Sequence, residues 1–243
     1  MNLQKLLSYT RQAVNDYNMI KDGDKIAVGI SGGKDSLCLL AALSEMRRFF
    51  PYKYELEAIT VSLGFNETDY SRVKSFCDKL GVNYTVVDTQ IGRIIFDERK
   101  EENPCSLCAK VRKGALNNAA EELGCNKIAL GHNKNDVIET FLMSLIFEGR
   151  ISCFSPVSFL EKKKLYSIRP LIYVSEYETK SYADSLGSII VKNPCPAVGS
   201  TKRQEIKELL KTLNKTYPNL NQRIFGAVTR SLDDWKRGGV NGR

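Results

Sequence analysis

Long apolar runs are missing from this sequence, and none approaches the roughly 20 residues that a bilayer crossing requires. A membrane span is therefore excluded. Histidine is nearly absent as well: His132 is the only one. A His-rich metal site, or a triad drawing on several histidines, is not available. Residues 1–20, MNLQKLLSYTRQAVNDYNMI, have no apolar h-region and no small-residue cleavage site. They read as an amphipathic helix rather than a signal peptide, so a cytoplasmic protein is expected. Internal repeats and low-complexity tracts are also missing, which removes the collagen-like and disordered classes.

What is present is ordinary globular material. The chain has 243 residues, 42% hydrophobic and 26% charged, enough for one large domain or a domain with a small lobe. Lys and Arg number 36 against 28 Asp and Glu, a net charge of +8. That excess favours a polyanionic partner such as nucleic acid and says nothing about fold. Seven cysteines, an odd number in a large chain, argue against a disulfide framework. Cys38, Cys77, Cys125 and Cys153 lie in apolar settings and read as small packing residues. Cys105 and Cys108 form a C-x-x-C that needs a separate explanation.

Strand-like and helix-like patterns alternate along the chain. Strands are expected at 25–30 (KIAVGI), 54–63, 83–88 and 127–131, with a short fifth at 166–169. Helices are expected at 36–49, 70–80, 105–123, 136–147 and 176–186, three of them stopped by Gly81, Gly124 and Gly187. Residues 150–166 read as irregular and basic. Helices of this length between strands imply right-handed crossovers and an α/β fold with a parallel five-stranded sheet covered on both faces. The expected division is an N-terminal helix (1–20), a main domain (21–187) and a C-terminal segment (188–243). That segment carries Cys195, a helix near 201–213 and a last helical stretch up to Trp235.

The most informative segment joins the first strand to a helix: Gly29-Ile30-Ser31-Gly32-Gly33-Lys34-Asp35-Ser36. Adjacent glycines let the backbone turn tightly and approach a ligand with no Cβ in the way. Successive amides then form an anion-binding concavity, backed by the positive end of the next helix. Ser31 and Ser36 add hydroxyl donors. The spacing is not Walker A, because only three residues separate Gly29 from Gly33 and Asp35 follows Lys34. An acid at that place suits Mg²⁺ held against a polyphosphate. A ligand-free turn is the plainer alternative, but it needs neither the Lys-Asp pair nor the serines. A second polar loop, Gly131-His132-Asn133-Lys134-Asn135-Asp136, follows the fourth strand. If strands one and four are neighbours, both loops line one crevice at the carboxyl ends of the strands. Taken alone, that loop is also explained as a solvated turn with Asp136 capping a helix.

S-G-G-K-D-S after strand one, with G-H-N-x-N-D after strand four, resembles the PP-loop ATP pyrophosphatases. Members of that family cleave ATP between the α and β phosphates and adenylate a carbonyl or carboxylate oxygen. The resemblance implies the strand order 3-2-1-4-5. It implies ATP bound by Ser31, Gly32, Gly33, Lys34, Asp35 and Ser36, with Leu63 and Gly131 against the adenosine. Arg169, in an R-P-L segment, matches another family motif and is expected at a phosphate.

Cys105 and Cys108 stand three apart at a helix start, so both face one way, and a helix N-terminus favours thiolate. Arg112 and Lys113 follow one turn later, and a third cysteine, Cys195, sits between Pro194 and Pro196. Structural zinc wants four ligands, the fourth coming from Cys125 or Cys153. An iron–sulfur cluster on three cysteines keeps one iron open. A redox C-x-x-C or three unconnected thiols are the remaining alternatives, and spacing alone leaves all of these open.

C-S-L-C-x-x-x-R-x-G-x-L, the crevice loop, R-P-L and P-C-x-x-x-G-S together resemble the tRNA 2-thiocytidine synthetase family over about residues 20–215. The resemblance implies a [4Fe-4S] cluster on Cys105, Cys108 and Cys195. It places Asp35, Arg112 and Asp136 as catalytic residues, Asp35 organising Mg²⁺, Arg112 as the family's basic residue and Asp136 as the second acid of the crevice loop. Three departures stand out. Asn135 replaces the first acid, Cys195 is followed by Pro-Ala-Val without a second cysteine, and the flanking C-x-x-C pairs of the 2-thiouridine branch are missing. The last favours the 2-thiocytidine-like branch.

The implied activity is that of an ATP-dependent tRNA sulfurtransferase. It adenylates a base carbonyl oxygen, C2 of an anticodon-loop cytidine, and replaces it with sulfur from the cluster, releasing AMP and pyrophosphate. Implied partners are tRNA and a sulfur donor (a cysteine desulfurase or sulfide), with a homodimer left open and no membrane. Arg203, Lys207, Lys211 and Lys215 recur every four residues and read as a basic RNA-binding stripe, helped by Lys162–Lys164, Lys236, Arg237 and Arg243. A solvated helix face is the alternative for the stripe. Rival functions are a lysidine synthetase-like ligase, a nucleotide-binding module with structural zinc, and a thiolation enzyme for a small molecule or another RNA.

Overall fold

A computed structural model describes residues 2–65, 68–99, 104–187, 189–191, 195 and 201–236. The strands are β1 (Asp24–Gly29), β2 (Tyr54–Val61), β3 (Asn83–Val87), β4 (Lys127–Ala129), β5 (Val157–Leu160) and β6 (Leu165–Ile168). They are apolar because both faces of the sheet are covered: Ile26, Ala27 and Val28 of β1 are all fully buried. The helices are α1 (Leu3–Asp16), α2 (Lys34–Met46), α3 (Ser71–Lys79), α4 (Pro104–Glu122), α5 (Lys134–Glu148), α6 (Glu176–Ser185), α7 (Lys202–Thr216) and α8 (Leu220–Ser231).

The sheet has six strands in the order β3-β2-β1-β4-β6-β5. β1 pairs with β2 and β4 in parallel, and β4 with β6, so the first three crossovers and the fourth follow the expected pattern. The expected fifth strand is β6. The additional strand, β5, pairs antiparallel with it, Val157 opposite Ile168 and Leu160 opposite Leu165. It was hidden in the basic stretch because VSFL is only half-buried on a sheet edge and has no clear alternation. Lys164, at φ 50, closes the hairpin.

Two cores lie on the two faces. One gathers α1, α2 and α6 around Leu6, Leu37, Leu40 and Leu43, each fully buried; each such leucine contributes about 2 kcal/mol. The other packs Leu116, Ala119 and Ala120 of α4 on Ile59 and Ile128. A third, smaller cluster docks α7 and α8 on α5 through Ile138, Ile206 and Leu210. Near the chain ends, buried Trp235 donates from Nε1 to the Phe154 carbonyl, and Tyr17 donates to the Trp235 carbonyl. No helix among the described residues is long and apolar enough to cross a membrane.

Candidate active site

The β1–β4 pairing puts the two polar loops side by side at the carboxyl ends of the strands. Gly131 shows how closely they pack. A Cβ there would lie 3.0 Å from the Asp35 carbonyl carbon and 3.1 Å from the Ser36 amide nitrogen. Gly32, at φ 77, takes the left-handed conformation that glycine tolerates. Gly33 is the N-cap of α2 and supplies no side-chain acceptor, so the first turn is left open to an anion. The loop meanwhile satisfies itself. The Ser31 amide donates to Ser36 Oγ at 3.2 Å, the Gly33 amide to Ser31 Oγ at 3.3 Å, and Ser36 Oγ to the Gly33 carbonyl at 2.9 Å.

A cavity of about 430 Å³ opens beside this loop, lined by Gly29, Ser31, Asp35, Ser36, Gly131 and His132, with Arg112 and Leu116 of α4 opposite. A smaller one of about 130 Å³ adjoins it and shares Ser31 and Arg112. Leu63 lines the smaller cavity and Gly131 the larger. Arg169 lines neither. Its guanidinium donates to the Ser155 carbonyl and to Ser158 Oγ and lies 4.9 Å from the Phe154 ring centre. Arg169 is buried against the turn into β5, and its Nε has no hydrogen-bond partner among the described residues.

Asp35 is heavily engaged. Its carboxylate accepts from Lys34 Nζ at 2.8 Å, Asn133 Nδ2 at 3.2 Å and Thr179 Oγ1 at 2.5 Å. Burial opposes the charge on Lys34, but Asp35 and Glu176 outweigh it and raise its pKa. Asp136 is both a cap and a site acid. Its Oδ2 accepts from the Asn133 amide at 2.9 Å in a capping box, and its Oδ1 accepts from Arg203 at 3.1 Å. Burial raises its pKa, and Asp35 adds to that. His132 lines the larger cavity as a neutral imidazole. Burial chiefly, then the charges of Arg169, Arg203 and Lys113, push its pKa down to about 3. Its Nδ1 is buried without a hydrogen-bond partner among the described residues.

The three cysteines come together electrostatically. Cys108 carries a raised pKa, caused first by burial, opposed by Arg112, and increased further by Cys195 and Cys105. The expected thiolate-favouring effect of the helix start is thus outweighed at Cys108, where burial dominates. Among the described residues no group of three or more His, Cys, Asp or Glu side chains is arranged to hold a metal ion. The trio is near but not closed. Cys125 precedes β4 at the opposite end of the sheet, where it feels Lys25, and Cys153 faces the Val137 carbonyl. Burial raises both thiols, to about 11 and about 12.

The basic stripe divides. Arg203 pairs with Asp136 and Glu139, and Lys207 pairs with Glu176 at 2.8 Å, so both turn into the site. Lys211 and Lys215 remain exposed. Lys164 borders a cavity with Asp24 and Lys127, at the strand ends away from the crevice. Lys236 pairs with Asp233, and Arg237 and Arg243 lie outside the described residues. Glu139, Glu176 and Thr179 were not singled out from sequence, and Asn133 only as a member of the crevice loop. For Glu139 the signal was its i, i+3 spacing from Asp136 on a helix otherwise rich in apolar residues.

The profile of the PP-loop domain matches residues 4–213. The chain is 38% identical over 221 residues to a tRNA-cytidine(32) 2-sulfurtransferase of Pelobacter propionicus, covering 90% of this chain and 82% of that one. It is 36% identical over 231 residues to the protein of that name from Dichelobacter nodosus, covering 94% and 86%. Among solved structures, the U34-tRNA thiolase NcsA of Methanococcus maripaludis with its [4Fe-4S] cluster superimposes with a TM-score of 0.75 at 28% identity, over 93% of this chain and 77% of that one. With the phosphate loop, the crevice loop and the strand order agreeing with these likenesses, the chain belongs to the PP-loop family and, within it, to the group of the tRNA-cytidine 2-sulfurtransferases.

Proposed function

We propose that the chain is an ATP-dependent tRNA sulfurtransferase that exchanges the C2 oxygen of an anticodon-loop cytidine for sulfur. One observation carries the proposal. Arg112 lines both cavities beside Ser31, and its charge acts on Cys108, which in turn feels Cys105 and Cys195. The phosphate loop and the thiol trio therefore meet at one side chain.

The open first turn of α2, with the amides and hydroxyls of Ser31, Gly33 and Ser36, suits the β and γ phosphates of ATP. The base oxygen attacks the α-phosphorus, the bond to the bridging oxygen breaks, and pyrophosphate leaves into this nest. Asp35, at the cavity wall, is the acid that would hold Mg²⁺, which supplies charge neutralisation at the leaving phosphates. Arg112 faces the other side and stabilises the negative charge that accumulates when the carbon–oxygen bond breaks and AMP departs. His132 enters the site as a neutral imidazole, since burial first and then nearby cations push its pKa down to about 3.

Cys105, Cys108 and Cys195 fit a [4Fe-4S] cluster as a donor set. Cys108 lies within electrostatic reach of Cys195, Cys105 and Arg112, while Cys125 and Cys153 stand elsewhere. A cluster held in this way supplies an iron with an open position for sulfur. Exposed Lys211 and Lys215 suit tRNA phosphates. The names of the sequence relatives favour cytidine(32) as the target.

The test is anaerobic incubation of iron-reconstituted protein with tRNA, ATP, Mg²⁺ and sulfide, followed by nucleoside mass spectrometry and AMP assay. The expected outcome is 2-thiocytidine and AMP in equal amounts, both lost in Asp35→Asn. AMP release that ignores tRNA, or a colourless protein with stoichiometric zinc, would overturn the proposal. Formation of 2-thiouridine instead would reassign the base.

A further inference from the structure

On both sides of Cys195 the chain is tied to the crevice, upstream to the phosphate loop and downstream to acids of α5 and α6. Upstream, the Val191 amide donates to the Gly32 carbonyl at 3.0 Å. Its side chain lies 2.8 Å from where a Gly32 Cβ would stand. Downstream, Arg203 donates to Asp136 and Glu139 at 3.1 Å each. Lys207 reaches Glu176 at 2.8 Å and Glu139 at 3.7 Å. Glu176 lies 3.3 Å from Lys34, which lies 2.8 Å from Asp35. Charges therefore alternate through Asp35, Lys34, Glu176, Lys207, Glu139, Arg203 and Asp136. Asn133 closes the ring by donating to both terminal aspartates.

Exposed ion pairs of this kind would hold little. Here the Glu139 side chain is only 2% exposed. Arg203 and Lys207 are the cations that offset the burial of this carboxylate, so losing them leaves it to take up a proton. The ring also begins and ends on the two loops that border the larger cavity. A polyphosphate and its cation bound at Asp35 must redistribute the partners of Lys34, and the next carboxylate in line, Glu176, is shared with α7.

We propose that Arg203 and Lys207 are positioning residues. Their ion pairs anchor the chain downstream of Cys195, the Gly32–Val191 contact anchors it upstream, and nucleotide in the phosphate loop is thereby linked to the placement of the Cys195 thiol. The link rests on the function proposed above, in which Cys195 serves beside the nucleotide. It concerns the metal-free chain and requires neither tRNA nor iron.

The experiment measures alkylation of Cys195 by iodoacetamide in the metal-free protein, resolved by peptide mass spectrometry, with and without a non-hydrolysable ATP analogue and Mg²⁺. Wild type is compared with Arg203→Gln, Lys207→Gln, the double variant and Arg203→Lys. In wild type the analogue slows Cys195. In the double variant Cys195 reacts about fivefold faster without nucleotide, the analogue no longer alters its rate, and the rate at Cys105 is the same in every protein. Arg203→Lys restores part of the protection.

A second readout follows: alkylating Cys195 in wild type weakens binding of the analogue, measured by calorimetry, and does so less in the double variant. Equal Cys195 rates in wild type and double variant overturn the proposal, as does a nucleotide effect that survives in the double variant. If the double variant unfolds, shown by alkylation of buried Cys38, the single Lys207→Gln variant decides on the same criteria. Binding of the analogue to wild type without any change at Cys195 breaks the link alone. No binding at all removes the nucleotide site beneath it and the link together.

Discussion

The side-chain amide of Asn133 donates to the Asp35 carboxylate at 3.2 Å, while its oxygen accepts from the amides of Asn135 and Asp136. One residue therefore caps α5 and joins the loop after β1 to the loop after β4. The two duties are separable. Asn133→Ser retains a cap acceptor and loses the reach to Asp35, whereas Asn133→Ala loses both. We expect Asn133→Ala to cost about 1 kcal/mol in chemical denaturation. Asn133→Ser should keep most of that stability, and both variants should weaken an ATP analogue in calorimetry.

Gly32→Ala tests the phosphate loop. A side chain at φ 77 costs about 1–2 kcal/mol, and its Cβ would press on Val191. Nucleotide affinity should fall about tenfold or more. Gly81→Ala, at φ 61 with open space around it, is the control. It should lower stability to a similar degree and leave nucleotide binding unchanged.

Glu139 gives the fold a pH dependence. Burial pushes its carboxyl up to about 7, against the opposing pull of Lys207 and Arg203. The folded chain thus holds this proton more tightly than the unfolded chain, where the ordinary value is 4.5. The stabilisation is fully present below pH 4.5 and is lost as pH rises through 7. Denaturation of wild type and Glu139→Gln across this range should give a stability difference that declines over that window and is level above it. A difference independent of pH would refute the assignment.

Iron content separates the cysteines. After anaerobic reconstitution wild type should carry about four irons per chain. Cys195→Ala should lose most of them, and Cys153→Ala should keep them, because Cys153 faces the Val137 carbonyl.

Salt dependence separates the basic residues. Lys211→Gln and Lys215→Gln should each lower the slope of log affinity for tRNA against log salt by about one. Arg203→Gln should leave the slope unchanged, because its charge is already matched by Asp136 and Glu139.

The five parallel strands were legible because apolar runs alternate with helical patterns, and their order followed from the resemblance to the PP-loop family. The phosphate loop was legible because Gly32, Gly33 and the flanking serines describe local backbone chemistry. β5 escaped because an edge strand of four half-buried residues carries little pattern. The stripe on α7 was correctly placed on one face, but a period of four tells which residues share a face and not what covers it. Arg203 and Lys207 found acids on α5 and α6, more than 30 residues away for Glu176 and further for Asp136. Arg169 was matched by motif, yet its surroundings depend on the turn at Phe154 and Ser155, which no local spacing reveals.

The Gly32–Val191 contact bears on how the molecule is dissected. A shortened chain ending at residue 187 would retain all six strands, but it would lose Val228 and Trp235 from the core and have no peptide to fill the gap beside Gly32. Such a fragment should be less stable and grip nucleotide poorly. The border that composition suggests for removing the tail cuts through working machinery rather than between parts.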